Sequence, residues 1–307
     1  MKKVGKFFGC FLPIIVALVC QVVISFGYSF VYGIVMAAKM ISLGITDAEE
    51  QTNYLLESMS SGNTVLLITA VATAATLLIG ALWYRKYKPA NDFALKSVCN
   101  VKSVVALAVM GLSLQLLIST CLGLVVPILP ETMTEQYAAL IEQLIGGNIW
   151  LSLLVTVILA PLAEEFLFRG VTMGMARKIM PFMAANILQA VLFGVYHMNW
   201  IQGVYAFVLG LILGYTAEYF HSIWASILLH AFINGSAELL SLIPESAMET
   251  IVGTVIIAVA GVVLLFVAAK LYPQGRKEPV VLETAAAVTE VAAEEIAENE
   301  ETVAENE

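Results

Sequence analysis

Eight stretches of about twenty largely apolar residues divide the chain between Phe7 and Leu271. That length is what an α-helix needs to cross the hydrocarbon of a bilayer. Within lipid every backbone N–H and C=O must find its partner in the protein, so only helices and closed barrels span it. Runs of this length select helices over the shorter alternating strands of a barrel. The stretches are Phe7–Met36, Val65–Tyr84, Val104–Val126, Ile149–Phe168, Met183–Trp200, Ile201–Phe220, Ile223–Leu240 and Ile251–Leu271. With 60% of residues hydrophobic and 13% charged, the chain is too apolar for a water-soluble domain. The expected fold is all-α, a polytopic membrane helical bundle of about eight transmembrane helices.

The basic residues test that count. Lys2, Lys3 and Lys6 precede the first stretch, and Arg85, Lys86, Lys88, Lys96 and Lys102 separate the second from the third. Arg177 and Lys178 follow the fourth, and Lys270, Arg276 and Lys277 end the eighth. Eight crossings put all of these on one side. Lys39 alone falls on the other, among Asp47, Glu49, Glu50, Glu57, Glu131, Glu135, Glu142, Glu245 and Glu249. The positive-inside rule then places both termini in the cytoplasm, consistent with a multi-pass protein of a bacterial plasma membrane. The first apolar run is too long for a signal-peptide core and reads as an uncleaved span.

Three regions follow from composition. Residues 1–148 hold the first three spans and, at Thr132–Ile145, an expected interfacial helix on the outer side. Residues 149–272 hold the remaining spans, and 273–307 form an acidic Ala/Val/Glu tail expected to be disordered and cytoplasmic. The net charge of −9 belongs to that tail, which carries 10 of the 24 acidic residues. There is no basic patch with interleaved aromatics, so nucleic acid is not an expected partner.

Polar residues inside the apolar stretches carry the functional signal. Residues Ala163–Gly170 read Ala-Glu-Glu-Phe-Leu-Phe-Arg-Gly. Three unpaired charges near the bilayer centre would cost roughly 8–10 kcal/mol, more than the surrounding apolar side chains return. Glu165 and Arg169 are four apart and can pair on one helix face, leaving Glu164 to point elsewhere. The fifth span carries Phe193 and His197, and the seventh carries His230 and Asn234, again four apart. Each element alone could serve packing. A carboxylate, two histidines and an amide on three spans together suit hydrolysis.

Glu-Glu-x-x-x-Arg, Phe-x-x-x-His and His-x-x-x-Asn, in that order on membrane helices, resemble the CPBP family of CAAX proteases and bacteriocin-processing enzymes, also called Abi. Phe207, Gly210, Gly214 and Ser226 follow the same pattern, and the resemblance covers about Ile149 to Gly235. It implies an intramembrane endopeptidase whose core is built from helices 4 to 7. Glu164 would act as general base on water and His197 would position that water. His230 and Asn234 would stabilise the oxyanion. Glu165, Arg169 and Phe193 would support the site. The substrate would be a peptide at the membrane, either prenylated or a leader peptide.

No cofactor is favoured. The alternative is zinc held by Glu164, His197 and His230. Two other functions compete: a non-catalytic immunity or scaffold protein of the same fold, and a proton-relay transporter. One geometric difficulty also stands. Counted from the span ends, His230 lies near one side of the membrane and His197 near the other. The site can form only if the fifth helix is short or displaced, or if His197–Gly203 dips into the bundle.

Overall fold

A computed structural model describes residues 2–88, 95–243 and 250–275. The expected Glu245, Glu249 and the tail from residue 276 onward lie outside the described residues. The fold is all-α, with eight apolar helices among the described residues, numbered here in chain order. Seven are long and apolar enough to cross a membrane: Val4–Leu43, Gly62–Tyr84, Val101–Ile128, Ile149–Ala176, Trp200–Tyr219, Ile223–Leu240 and Ile251–Tyr272. The fifth in order, Phe182–Tyr196, has 15 residues, about 22 Å at the helical rise and short of the roughly 30 Å of hydrocarbon.

Two longer polar helices and a single helical turn at Leu95–Val98 lie between them. Glu131–Ile145 lies where the interfacial helix was expected. Ala48–Ser60 was not anticipated; its N-cap Asp47 accepts from the N–H groups of Glu49 and Glu50, a local signal that the acidic composition of this segment obscures. The outward faces of the bundle are apolar. Phe26, Phe30, Ile256 and Phe266 are all exposed, as expected of side chains that meet lipid.

Small residues let the helices approach where polar groups must meet. A Cβ at Gly111 would collide with Phe232, which holds helix 3 against helix 7. A Cβ at Gly170 would collide with Tyr84, so helix 2 packs closely on helix 4. Ser113 Oγ donates to the Gly261 carbonyl at 2.9 Å, tying helix 3 to helix 8. Leu167, Phe168, Phe193, Leu213, Leu229 and Ile233 are fully buried among helices 4 to 7.

Two boundaries differ from the sequence expectation, and both matter for the site. Helix 4 continues past Phe168 to Ala176, because the Glu165–Arg169 pair is satisfied internally and Gly170 packs against Tyr84. The charged motif is therefore in the middle of the helix instead of at its end. Helix 4 also widens into π turns at Leu154–Leu159 and Phe166–Thr172. The first lies just before Pro161, which has no N–H to donate to the ladder.

Helix 5 ends at Tyr196 instead of Trp200, and residues 197–199 make the whole turn into helix 6. Met198 takes a φ of 52° there. Asn199 caps the next helix by accepting from Gln202 N at 3.0 Å. The expected dipping loop over His197–Gly203 is thus a tight turn, and Trp200–Gly203 is helical. Helices 5 and 6 form an antiparallel hairpin in which Gly194 faces Gly203 and Ala190 faces Gly210.

Candidate active site

Helices 4, 5 and 7, which carry the three motifs, bring Glu164, Glu165, Phe193, His197 and His230 together. The Glu165 side chain is fully buried, and its Oε1 accepts from Arg169 Nη1 at 2.9 Å, the i,i+4 pair read from the sequence. The same oxygen lies 2.8 Å from His230 Nδ1 on helix 7. Glu165 therefore links helices 4 and 7 as well as pairing with Arg169. Glu164 Oε2 lies 3.7 Å from the other imidazole nitrogen, His230 Nε2, and its side chain remains partly accessible. Two adjacent carboxylates thus flank the two nitrogens of one histidine.

Hydrogen-bond chemistry assigns the ring nitrogens. A carboxylate oxygen can only accept, so His230 Nδ1 carries the proton given to Glu165, and Nε2 is the nitrogen turned toward Glu164. His197 Nδ1 lies 2.8 Å from the Phe193 carbonyl. A carbonyl also only accepts, so that nitrogen is protonated and His197 Nε2 is left for the site.

Phe193 is the hub of this arrangement. Its ring meets His197 edge-on with centroids 4.8 Å apart and His230 with centroids 5.9 Å apart. It contacts Phe168 at 5.1 Å, and the Arg169 guanidinium lies 4.4 Å from its centroid. One aromatic ring on helix 5 therefore orients both histidines and covers the buried cation.

Arg169 Nη2 also donates to the Gly210 carbonyl at 3.3 Å. Gln189 Nε2 donates to that carbonyl at 2.8 Å and to Asn186 Oδ1 at 2.7 Å. The glycines after the second motif make room for these groups. A Cβ at Gly214 would overlap Asn186 Oδ1 and press on Gln189.

Asn234 lies one turn after His230, and its Nδ2 donates to the Thr156 carbonyl at 2.8 Å, in the first π turn of helix 4. This bond commits one of its two N–H groups. Asn186, Gln189, Ser152, Thr156 and Glu238 escaped the sequence reading. Asn186 and Gln189 share the helix face that leads to Phe193 and His197, and Glu238 follows Asn234 by four residues. That periodicity was the available signal. His221 lies in the turn between helices 6 and 7, with a φ of 48°.

The zinc alternative can be tested on the donor set. Among the described residues no group of three His, Cys, Asp or Glu side chains is placed to hold a metal. Glu164, His197 and His230 as arranged do not fit a zinc site.

Residues 146–236 match the model of the family described as type II CAAX prenyl endopeptidase Rce1-like, consistent with the CPBP resemblance. The matched span begins just before helix 4 and ends within helix 7. No curated protein and no solved structure gives a significant match. The apolar helices and this family match together make the chain an integral, multi-pass membrane protein with a CAAX-protease-like region.

Proposed function

We propose that the protein is an intramembrane endopeptidase that uses Glu164 to activate water. The observation that carries this reading is the placement of Glu164 and Glu165 on opposite nitrogens of His230. Glu165 orients the imidazole and leaves Glu164 next to its reactive edge. This is the division of labour of a catalytic base beside an oriented histidine.

A water molecule hydrogen-bonded to Glu164 gives up its proton to that carboxylate as its oxygen bonds to the scissile carbonyl carbon. His197 Nε2 accepts the other water proton in a hydrogen bond and fixes the angle of attack. Negative charge develops on the former carbonyl oxygen. The second N–H of Asn234 donates to it, as does His230 through Nε2 when the ring is doubly protonated. When the C–N bond breaks, Glu164 returns its proton to the leaving amine, which restores the carboxylate and frees both peptide ends.

The family match supports a peptide substrate carrying a prenyl group. So does an apolar crevice of about 550 Å³ between helices 3 and 6, bordered by Leu117, Cys121, Met133, Trp200 and Tyr205. Both termini face the cytoplasm in this reading, by the distribution of Lys and Arg, and the host membrane is a bacterial plasma membrane.

Two experiments test the proposal. Purified protein in liposomes is assayed with a fluorogenic peptide bearing a farnesylated cysteine near its C-terminus. Glu164→Gln should lower the rate by about 10²–10⁴-fold. Mass spectrometry of membranes from cells carrying Glu164→Ala should show an uncleaved peptide that the parent removes. A phenotype of deletion that survives in the Glu164→Ala strain would instead identify a non-catalytic scaffold.

A further inference from the structure

Helices 4 and 7 face each other through a polar ladder that extends beyond the proposed catalytic residues. His230, Asn234 and Glu238 follow at intervals of four on helix 7. Ser152, Thr156 and Glu164 lie on the opposing face of helix 4. The rungs pair antiparallel: Glu164 and Glu165 with His230, the Thr156 carbonyl with Asn234, and the Ser152 and Thr156 hydroxyls with Glu238. We infer that Glu238 is a positioning residue for the hydrolytic site, acting through Thr156 to set the Asn234 amide. The inference rests on the oxyanion role given to Asn234 above.

Glu238 is 8% exposed, and its Oε1 lies 2.9 Å from both Ser152 Oγ and Thr156 Oγ1; the single proton of the Thr156 hydroxyl is shared between this oxygen and the Ser152 carbonyl, also at 2.9 Å. Ser152 Oγ is also 2.9 Å from the Leu144 carbonyl, so the cluster reaches the Glu131–Ile145 helix. Thr156 is the branch point. Its hydroxyl contacts Glu238, and its carbonyl receives the Asn234 amide at 2.8 Å. Because Thr156 lies within a π turn, its peptide plane is not fixed by a regular α-helical ladder alone. The side-chain anchor supplies the missing constraint.

Stability alone does not account for a carboxylate here. A buried carboxylate in an apolar helix is costly, and an apolar side chain of similar size often packs at least as well. Glu238 Oε2 is buried with no hydrogen-bond partner among the described residues, which adds to the cost. A single oxygen placed to accept from hydroxyls on successive turns of the facing helix is what leucine cannot provide. Glutamine keeps such an oxygen and should substitute.

The test uses the full-length protein in liposomes with the fluorogenic farnesylated peptide. Glu238→Leu should lower kcat about tenfold with KM changed less than about twofold, the pattern of an interaction expressed in the transition state. Glu238→Gln should keep at least about half of the parent kcat. In an Asn234→Ala background, Glu238→Leu should add less than about twofold, because its effect passes through Asn234. Should Glu238→Leu not fold, Thr156→Val breaks the same link and should reproduce the kcat loss.

Full kcat in both Glu238→Leu and Thr156→Val overturns the inference. So does a Glu238→Gln variant as impaired as Glu238→Leu, or losses that multiply in the Asn234→Ala background. The peptidase reading fails separately, if Glu164→Gln cleaves at the parent rate. An inactive Glu164→Gln beside a fully active Glu238→Leu refutes only the positioning role.

Discussion

Replacing Arg169 by Met tests the buried electrostatics directly. The guanidinium has three partners: Glu165 on its own helix at 2.9 Å, the Gly210 carbonyl on helix 6 at 3.3 Å, and the Phe193 ring on helix 5 at 4.4 Å. The pair with Glu165 is intrahelical and persists when helices separate within a membrane, so it contributes little to bundle stability. The interhelical contacts are the ones lost. A charged hydrogen bond is worth about 1.5–3 kcal/mol, and the lower end applies here because the bond is long and Gln189 still serves Gly210. A desolvated cation–π contact adds about 2 kcal/mol.

The expected loss for Arg169→Met is therefore about 3.5 kcal/mol, or a few hundredfold in the folding equilibrium. Glu165 keeps His230 as a partner, which is why the cost stays below the larger values seen when a buried ion is stranded. Arg169→Lys keeps the charge but not the planar fork or the stacking, and should lose about half as much. Reversible unfolding in mixed micelles, followed by tryptophan fluorescence, measures both. A cost below about 1 kcal/mol for Met, or a lysine variant as stable as the parent, would refute the reasoning.

Three further outcomes follow from the same geometry. Gly214→Ala should destabilise by about 1–3 kcal/mol in the same unfolding assay, because its methyl group would overlap the Asn186 amide. Phe193→Leu removes the ring that meets His197, His230 and Arg169; it should cost about 1–3 kcal/mol of stability and reduce kcat more than it changes KM. Treatment with a zinc chelator, followed by metal analysis of the still-active protein, should leave peptide cleavage within about twofold of the untreated rate, since the donor set does not fit a metal. Chelator-sensitive cleavage restored by zinc would overturn the metal-free mechanism.

Hydropathy and charge are properties of short segments, so they carried the all-α class and most helix positions. The Glu165–Arg169 pair was legible for the same reason: four residues on one helix fix which side chains can touch. Sequence periodicity also held a signal for Glu238, but a single carboxylate near the end of an apolar run says nothing about its partners on another helix.

The convergence of the site was decided by tertiary structure. The linear count put His197 and His230 toward opposite sides, because it took helix 5 as a full span with His197 near its outer end, whereas that helix has only 15 residues. Packing of Gly170 against Tyr84 and pairing of Arg169 let helix 4 run on to Ala176. The turn at residues 197–199 ends helix 5 with His197 edge-on to Phe193, the ring that also meets His230. Likewise, the sequence assigned Glu165 to Arg169 alone, whereas the fold brings His230 to the same oxygen. Spacing along a chain specifies faces, but the height at which two faces meet depends on how far one helix slides along the next. Small residues, proline-linked π turns and caps set that offset, and they act only once the helices are packed.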